Sequence, residues 1–157
     1  MLQDLINLHQ EVMSTIDNRK KRFLCDKIHW ESKGICIFGA RGVGKTTLIC
    51  QFLLEKYKTV DKALYISGDN IHVLSRGLLN IASEYFALGG EALFIDEVHK
   101  YPNWSLEIKN ILDTFKKKQI IISGPRSIEQ RMADKITGIL APVLFSSSVS
   151  TIFACFK

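Results

Sequence analysis

The feature of this chain that most restricts its fold is a glycine-rich segment that runs from Gly39 to Thr47. It fills the pattern G-x-x-x-x-G-K-[ST], which joins a buried strand to a helix and wraps around phosphate groups. A continuous apolar run, Ile35–Phe38, precedes the segment, and apolar residues with helical spacing follow it from Leu48 to Leu53. The order of strand, loop and helix predicts an α/β fold with a parallel sheet.

The residue types of this loop suit the binding of ATP. Glycines let successive backbone N–H groups turn towards a triphosphate, and the following helix adds its positive end. We expect every residue of the loop to line the nucleotide: Gly39, Ala40, Arg41, Gly42, Val43, Gly44, Lys45, Thr46 and Thr47. Lys45 would bridge the β- and γ-phosphates, Thr46 would ligate Mg²⁺ and Thr47 would lie near the α-phosphate. The alternative is a plain glycine-rich turn, which needs neither three glycines nor the Lys-Thr pair.

Two acidic residues at the end of another apolar run supply the second half of the predicted site. Asp96 and Glu97 follow Leu93–Ile95 directly. Asp96 would hold the Mg²⁺ ion, and Glu97 would orient a water molecule for attack on the γ-phosphate. Because a small-molecule kinase needs no such water, the pair favours ATP hydrolysis. The alternative is a solvated turn or an N-cap pair for the next helix.

A further candidate, Ser123, comes directly after the apolar run Ile120–Ile122. In a sheet where this strand lies beside the one that carries Asp96, the hydroxyl could hydrogen-bond the attacking water or the γ-phosphate. Ser-Gly after a strand is also an ordinary turn, and both alternatives remain open. The predicted catalytic residues are Glu97, Lys45 and Ser123, and the predicted metal ligands are Thr46 and Asp96.

Four apolar runs without in-out alternation predict strands that are covered by helices on both faces. They are Ile35–Phe38, Ala63–Ile66, Ala92–Ile95 and Ile120–Ile122. Segments with helical spacing lie between them at 48–53, 71–85 and 104–115, and a further helix is predicted at residues 2–18. Candidate N-caps stand at Asn70 and Asn103, and Gly89-Gly90 is a stop signal. The prediction is a three-layer parallel sheet of the P-loop type, preceded by an N-terminal helix.

Charge and cysteine content limit the range of partners and compartments. Much of the net charge of +5 comes from two runs, Arg19–Arg22 and Lys116–Lys118, each at the end of a predicted helix, where cations suit the helix dipole. DNA binding is therefore only a weak prediction, and a membrane partner is not expected. The four cysteines lack metal-binding spacing and no secretory signal is visible, so we expect reduced thiols and a cytoplasmic protein.

From about Phe23 to Ser127, the chain resembles the prokaryotic AAA-superfamily ATPases in which a P-loop domain precedes a C-terminal nuclease-like domain of unknown function. Besides the loop Gly39–Thr47, the segment Leu93–Ser105 carries the resemblance, with the sequence L-F-I-D-E-V-H-K-Y-P-N-W-S. This segment is highly specific, because generic P-loop proteins share only its strand and its Asp-Glu pair.

The resemblance implies the arrangement and the roles of the site residues. The strand of Ser123 would flank the strand that leads to Lys45. Asp96 would be the Walker B aspartate, Glu97 the catalytic glutamate and Ser123 the sensor residue. Residues 99–104 would form a family-specific loop, for which packing of its aromatic residues against the domain is the alternative role.

The match weakens after the strand of Ser123, where an arginine pair that family members carry is missing. Residues 136–156 contain no charged side chain. Three alternatives remain for this tail: strands through 143–145 and 152–153, a membrane anchor, or the out-of-register end of a disrupted gene. We divide the chain into an N-terminal helix and basic linker (1–22), a P-loop ATPase core (23–135) and an atypical uncharged tail (136–157).

Together these observations predict an AAA-type domain that binds ATP and Mg²⁺ and hydrolyses ATP. Turnover is expected to be impaired, because an arginine supplied to the transition state can be worth about 10³ to 10⁵ in rate. Two alternatives remain open. One is a nucleotide-dependent interaction module for a protein partner or a second copy of the chain, and the other is a non-functional remnant of a disrupted gene.

Overall fold

The structure is a computed structural model that describes residues 2–19, 23–128 and 141–145. Its helices are α1 (Leu2–Ser14), α2 (Lys45–Lys56), α3 (Ile71–Arg76), α4 (Leu78–Ala87) and α5 (Trp104–Thr114). Its strands are β1 (Gly34–Gly39), β2 (Ala63–Ser67), β3 (Ala92–Asp96), β4 (Gln119–Gly124) and β5 (Ala141–Phe145). Short 3₁₀ helices lie at Phe23–Lys27, Val98–Lys100 and Arg126–Ile128.

The described strands form one parallel sheet in the order β2-β3-β4-β1-β5. Strand β4 lies between β1 and β3, so that Ser123 is opposite Ile37 and Ile122 is opposite Ile95. The carboxyl ends of parallel strands meet at one edge of a sheet, where α/β folds bind their ligands. Strand β4 thus flanks β1, as the resemblance implies, and it also lies beside β3, which is the condition under which Ser123 can approach Asp96.

Helices cover both faces of the sheet, as the continuous apolar sequence of the strands predicts. Alternate residues of β1 face opposite sides: Phe38 belongs to the core with α3, α4 and α5, whereas Ile37 belongs to the core with α2. In β3, Leu93 and Phe94 divide in the same way. Every residue of β1, β3 and β4 is buried, which explains their continuous apolar sequence. The predicted three-layer α/β fold is confirmed.

The N-terminal helix α1 packs on β2, the edge strand of the described sheet. His9 is buried there, and its Nδ1 accepts a hydrogen bond from the backbone N–H of Tyr65 at 2.9 Å. The helix ends at Ser14, so the prediction that it extends to residue 18 is wrong. The hydroxyls of Ser14 and Thr15 bond carbonyls three residues back, a local alternative to continued helical pairing.

One predicted helix is divided in two. The spacing of apolar residues favours a single helix from 71 to 85, but Gly77 has φ +85° and ψ 142° and separates α3 from α4. The apolar stripe continues across the break, because both helices pack on the same face of the sheet. Asn70 caps α3 by accepting the N–H of His72, and Gly89, with φ +100°, follows the end of α4 as predicted.

Two details of the helix ends differ from the sequence predictions. Asn103 occupies the N-cap position of α5, but it is left-handed (φ 54°) and its side chain makes no capping bond. Arg19, the first residue of the basic run, lies beyond the end of α1 at Ser14 and pairs with Asp17 at 3.0 Å. Lys20–Arg22 lie outside the described residues.

In the tail, the structure describes one strand. Strand β5 runs parallel to β1, with Val143 opposite Ile37, which agrees with the first of the predicted tail strands. The second, at Ile152–Phe153, lies outside the described residues. Within the described part of the chain, no helix is both long enough and apolar enough to cross a membrane.

Candidate nucleotide site

The glycine-rich loop turns sharply between β1 and α2. Gly42 and Gly44 have φ +80° and +87°, a left-handed backbone conformation that residues with a Cβ rarely adopt. The carbonyl of Gly44 accepts the first hydrogen bond of the helix, from the N–H of Leu48 at 3.0 Å. Gly44 is thus the N-cap of α2, and the loop residues before it stand at the positive end of the helix. The residues predicted to line phosphates therefore surround a helix N-terminus, as phosphate binding requires.

Lys45 is buried and folded back over the loop. Its Nζ donates hydrogen bonds to the carbonyl oxygens of Gly39 (3.0 Å) and Ala40 (2.9 Å). An ammonium group has three donors, so one N–H remains for a phosphate oxygen without breaking either contact. Arg41, in contrast, is exposed at the loop tip, whereas Val43 and Thr47 are half-buried.

Asp96 is the centre of the site, because donors from three different elements converge on its buried carboxylate. Thr46 Oγ1 of α2 donates to Oδ2 at 2.6 Å, and Tyr65 OH of β2 lies 3.4 Å from the same oxygen. Oδ1 accepts the hydroxyl of Ser123 and, at 3.0 Å, the backbone N–H of Glu97. The carboxylate thus holds the ends of β2, β3 and β4 to the start of α2.

The charge of this carboxylate contributes to raised pKa values in two neighbouring groups, Tyr65 and Cys50. Burial, and then the negative charge of Asp96, raise the pKa of Tyr65, so that its hydroxyl keeps its proton and remains a donor. The same two causes raise the pKa of Cys50 to about 12, which makes it a buried neutral thiol. Of the described cysteines, Cys25 and Cys36 are also buried, and none of the three forms a disulfide.

The residues at Asp96 fit a magnesium ion. A hydroxyl and a carboxylate oxygen, 2.6 Å apart on Thr46 and Asp96, are hard oxygen ligands of the type that Mg²⁺ prefers. Among the described residues, no group of three or more His, Cys, Asp and Glu side chains forms a metal cage. In phosphate-binding sites Mg²⁺ is usually held by one or two protein ligands together with substrate phosphates.

Glu97 directly follows β3 in a left-handed backbone conformation, with φ 49° and ψ 39°. Its N–H is held by Asp96 Oδ1 and by Ser123 Oγ at 3.2 Å. Its carboxylate is about one-third exposed, and it lies 3.8 Å from His99 Nε2 and 3.7 Å from Lys100 Nζ. The side chain therefore stands at the mouth of the site, beside the buried Asp96.

Ser123 lies beside Asp96, at the edge of the sheet where the sequence predicts the site. Its hydroxyl is fully buried; it donates to Asp96 and accepts from the N–H of Glu97. Both interactions hold the end of β3 in place, so the observed contacts of Ser123 position Glu97.

Sequence reasoning missed the residues that follow β2. The N–H of Gly68 donates to the carbonyl of Asp96 at 2.8 Å, and a Cβ at Gly68 would lie only 2.8 Å from the carbonyl oxygen of Glu97. Asp69 pairs with Lys100 at 2.6 Å. Their position at the carboxyl end of a predicted parallel strand was the available signal, because ligand sites form at that edge.

The model for the AAA domain family matches residues 31–145, which is most of the chain. The chain belongs to the AAA domain family. The match includes the glycine-rich loop, the strand that carries Asp96 and the strand that carries Ser123. It also reaches β5, at the far side of β1.

Two solved structures show the same fold as this AAA domain at low sequence identity. AMPPCP-bound DnaA from Aquifex aeolicus has a TM-score of 0.52 and 21% identity, over 88% of this chain and 46% of that one. The Saccharomyces cerevisiae Hsp104–ADP complex has a TM-score of 0.58 and 14% identity, over 95% of this chain and 25% of that one.

A curated relative of this AAA domain is the uncharacterized protein MJ1637 of Methanocaldococcus jannaschii. It is 27% identical over an alignment that covers 66% of this chain and 26% of the relative. The chain thus spans about a quarter of that protein's length.

The segment after Glu97 packs against the rest of the AAA domain. Tyr101 and Trp104 are both buried, and Tyr101 OH donates to Glu107 Oε1 at 2.7 Å. The other carboxylate oxygen of Glu107 accepts the N–H of Leu79 in α4 at 2.9 Å. The packing role that the sequence allowed for these aromatic residues is therefore confirmed.

Proposed function

We propose that this AAA-type nucleotide-binding domain binds ATP with Mg²⁺ and hydrolyses it to ADP and phosphate. The observation that carries the proposal is the carboxylate of Asp96, which joins Thr46 of the phosphate loop to Glu97 and Ser123. A structural turn would not require a buried carboxylate that accepts four donors at the start of a helix. We assign phosphate binding to the loop Gly39–Thr47, with Thr46 and Asp96 as the magnesium ligands.

In this mechanism each residue has a separate task. The free N–H of Lys45 contacts phosphate oxygens while the other two stay on the loop carbonyls. Thr46 and Asp96 would hold Mg²⁺, which when bound would supply neutralisation of the charge that develops on the phosphates. Glu97 accepts a hydrogen bond from the attacking water and orients it, and Ser123 keeps the backbone N–H of Glu97 in place.

We further propose that turnover by the chain alone is slow. Arg41 and Arg126 are exposed, and the arginine pair that family members carry after the strand of Ser123 is missing from the sequence. Without an arginine at the transition state, P-loop enzymes lose about 10³ to 10⁵ in rate. Cytoplasmic location and a place within longer prokaryotic proteins that carry a nuclease-like domain belong to the same proposal. The greater length of MJ1637 supports the place within a longer protein.

Glu97→Gln tests the hydrolysis step. The amide keeps the size of the side chain and cannot act as a base, so we expect unchanged affinity for Mg²⁺·ATP and loss of phosphate release by about 10²-fold or more. The measurement is single-turnover release of labelled phosphate at saturating protein, together with equilibrium binding of ATP. Equal binding and equal phosphate release in both proteins would favour an interaction module that binds ATP without catalytic use of Glu97.

A further inference from the structure

A three-residue ionic chain connects the end of β2 to the carboxylate of Glu97. Lys100 lies three residues after Glu97, at the end of the 3₁₀ helix, with Nζ 3.7 Å from Glu97 Oε2. The same ammonium group is 2.6 Å from Asp69 Oδ2. Asp69 is fixed in turn, because the hydroxyl of Ser67 donates to its other oxygen at 2.6 Å. Lys100 therefore spans two carboxylates on neighbouring strand ends.

The backbone joins the same two strand ends. The N–H of Gly68 donates to the carbonyl of Asp96, and only a glycine fits at this position, since a Cβ would meet the Glu97 carbonyl oxygen at 2.8 Å. The turn Ser67–Asp69 thus bonds the backbone of Asp96 directly and reaches the side chain of Glu97 through Lys100.

The electrostatic environment of Lys100 is consistent with this bridge. The hydrogen bond to Asp69, and with it the negative charges of Asp69 and Glu97, raise the pKa of Lys100, whereas Arg41 of the phosphate loop acts in the opposite direction. Lys100 is therefore an ammonium group, near enough to the phosphate loop to sense its charge.

We propose that Lys100, anchored by Asp69, is a positioning residue that orients the carboxylate of Glu97 towards the attacking water. This inference rests on the proposed function, because it assigns a role within the same site. Glu97 has about one-third of its side chain exposed, and of the described residues only Lys100 and His99 make ion-pair contacts with its carboxylate. Only Lys100 of these two is secured by a second carboxylate. A freely solvated lysine would have no reason to bridge two strand ends.

Lys100→Met is the variant that tests the positioning role. It keeps the length of the side chain and removes the ammonium group, so we expect kcat to fall about 10- to 100-fold with KM for ATP changed less than about twofold. Lys100→Arg keeps both ion pairs and should restore most of kcat. Asp69→Asn should lower kcat, and adding it to Lys100→Met should have little further effect, because Asp69 acts through Lys100.

Lys117→Met is the matched control, since Lys117 is an exposed lysine at the opposite end of the sheet. A second measurement is independent of turnover: the ¹³C resonance of the Glu97 side-chain carboxylate, assigned by its absence in Glu97→Gln. We expect this resonance to move in Lys100→Met and Asp69→Asn, and to stay in Lys117→Met.

The outcomes separate the two proposals. If the wild type releases no phosphate, hydrolysis is refuted, and a resonance that moves only with Lys100 and Asp69 still supports the orienting contact. A resonance unmoved in Lys100→Met overturns the inference, whether or not ATP is hydrolysed. In an active wild type, an unchanged or increased kcat in Lys100→Met, or an equal loss in Lys117→Met, also overturns it.

Discussion

At the scale of single residues, Asp96 determines how the site is assembled. A carboxylate has enough lone pairs for four donors, and here these come from Thr46, Tyr65, Ser123 and the N–H of Glu97. Glu97, one position later, has its carboxylate at the partly exposed mouth of the site. Two adjacent acidic residues therefore have different environments, which suits one for holding a cation and the other for contacting water.

Asp96→Asn should remove the magnesium dependence of ATP binding. The amide has lost one acceptor oxygen and the negative charge, so it attracts a cation more weakly than the carboxylate does. We expect affinity for ATP in Mg²⁺ to fall about tenfold or more, towards the value without metal, which corresponds to about 1.4 kcal/mol. Calorimetric titration with and without Mg²⁺ measures the effect, with the exposed Asp113→Asn as control. A full magnesium effect in Asp96→Asn would contradict the assignment.

At the scale of elements, α1 packs on the edge strand β2, and His9 joins the two by a hydrogen bond. Burial lowers the pKa of His9 from 6.5 to about 4, so the folded protein keeps the ring neutral, and Nδ1 can accept the N–H of Tyr65. The unfolded chain takes up a proton below pH 6.5. The contribution of this group to stability is therefore complete above pH 6.5 and is lost as the pH falls towards 4.

His9→Gln tests this pH dependence. Glutamine offers a neutral acceptor that does not titrate, so the variant should lack the part of acid destabilisation that His9 causes. A shift from 6.5 to about 4 corresponds to about 3 kcal/mol of unfolding free energy. Urea unfolding of both proteins between pH 7 and pH 4 measures the difference. Parallel curves for wild type and variant would show that His9 is not held neutral by the fold.

The break between α3 and α4 depends on the backbone of Gly77. Its φ of +85° with ψ of 142° is accessible to glycine and strained for alanine, although there is space for a Cβ. Gly77→Ala should therefore lower the unfolding free energy by about 1–3 kcal/mol. Thermal and urea unfolding test this, with Ser83→Ala on the exposed side of α4 as control. Unchanged stability would mean that the two helices can join into one.

The elements that the sequence predicts well are those whose signal is local. Strands that are buried on both faces have continuous apolar sequences, which made the four runs recognisable, and the glycine pattern located the loop before α2. The break at Gly77 was missed because the apolar spacing continues across it. The early end of α1 was missed because Ile16 continues the stripe, whereas the hydroxyls of Ser14 and Thr15 bond the backbone instead.

The candidate site also contains some residues that the sequence predicts and some contacts that it does not. Lys45, Thr46, Asp96 and Glu97 could be selected from two motifs, since each stands at a fixed place relative to a strand end. The hydrogen bonds that Tyr65, Gly68 and Asp69 make at the site could not be predicted from these motifs, because they depend on which strand lies beside β3. Spatial order, here β2-β3-β4-β1-β5, is set by packing between distant segments and has no local pattern.

At the scale of the whole molecule, the parallel sheet brings every site residue to one edge. The loop follows β1, the acidic pair ends β3, Ser123 ends β4 and the Ser67–Asp69 turn follows β2. Sequence-distant residues thus form one constellation, with Thr46 and Asp96 in contact across a separation of 50 positions. A folded protein is consequently required for nucleotide binding.

Equilibrium binding of labelled ATP in Mg²⁺, compared between the wild type and Lys45→Ala, tests the central claim most directly. Lys45 supplies a charged donor to phosphate, worth about 1.5–3 kcal/mol, so the variant should bind about 10- to 150-fold more weakly. Lys117→Ala, which removes an equal charge far from the loop, should bind as the wild type does. Identical affinities in the wild type and Lys45→Ala, or no binding by the wild type, would contradict the account.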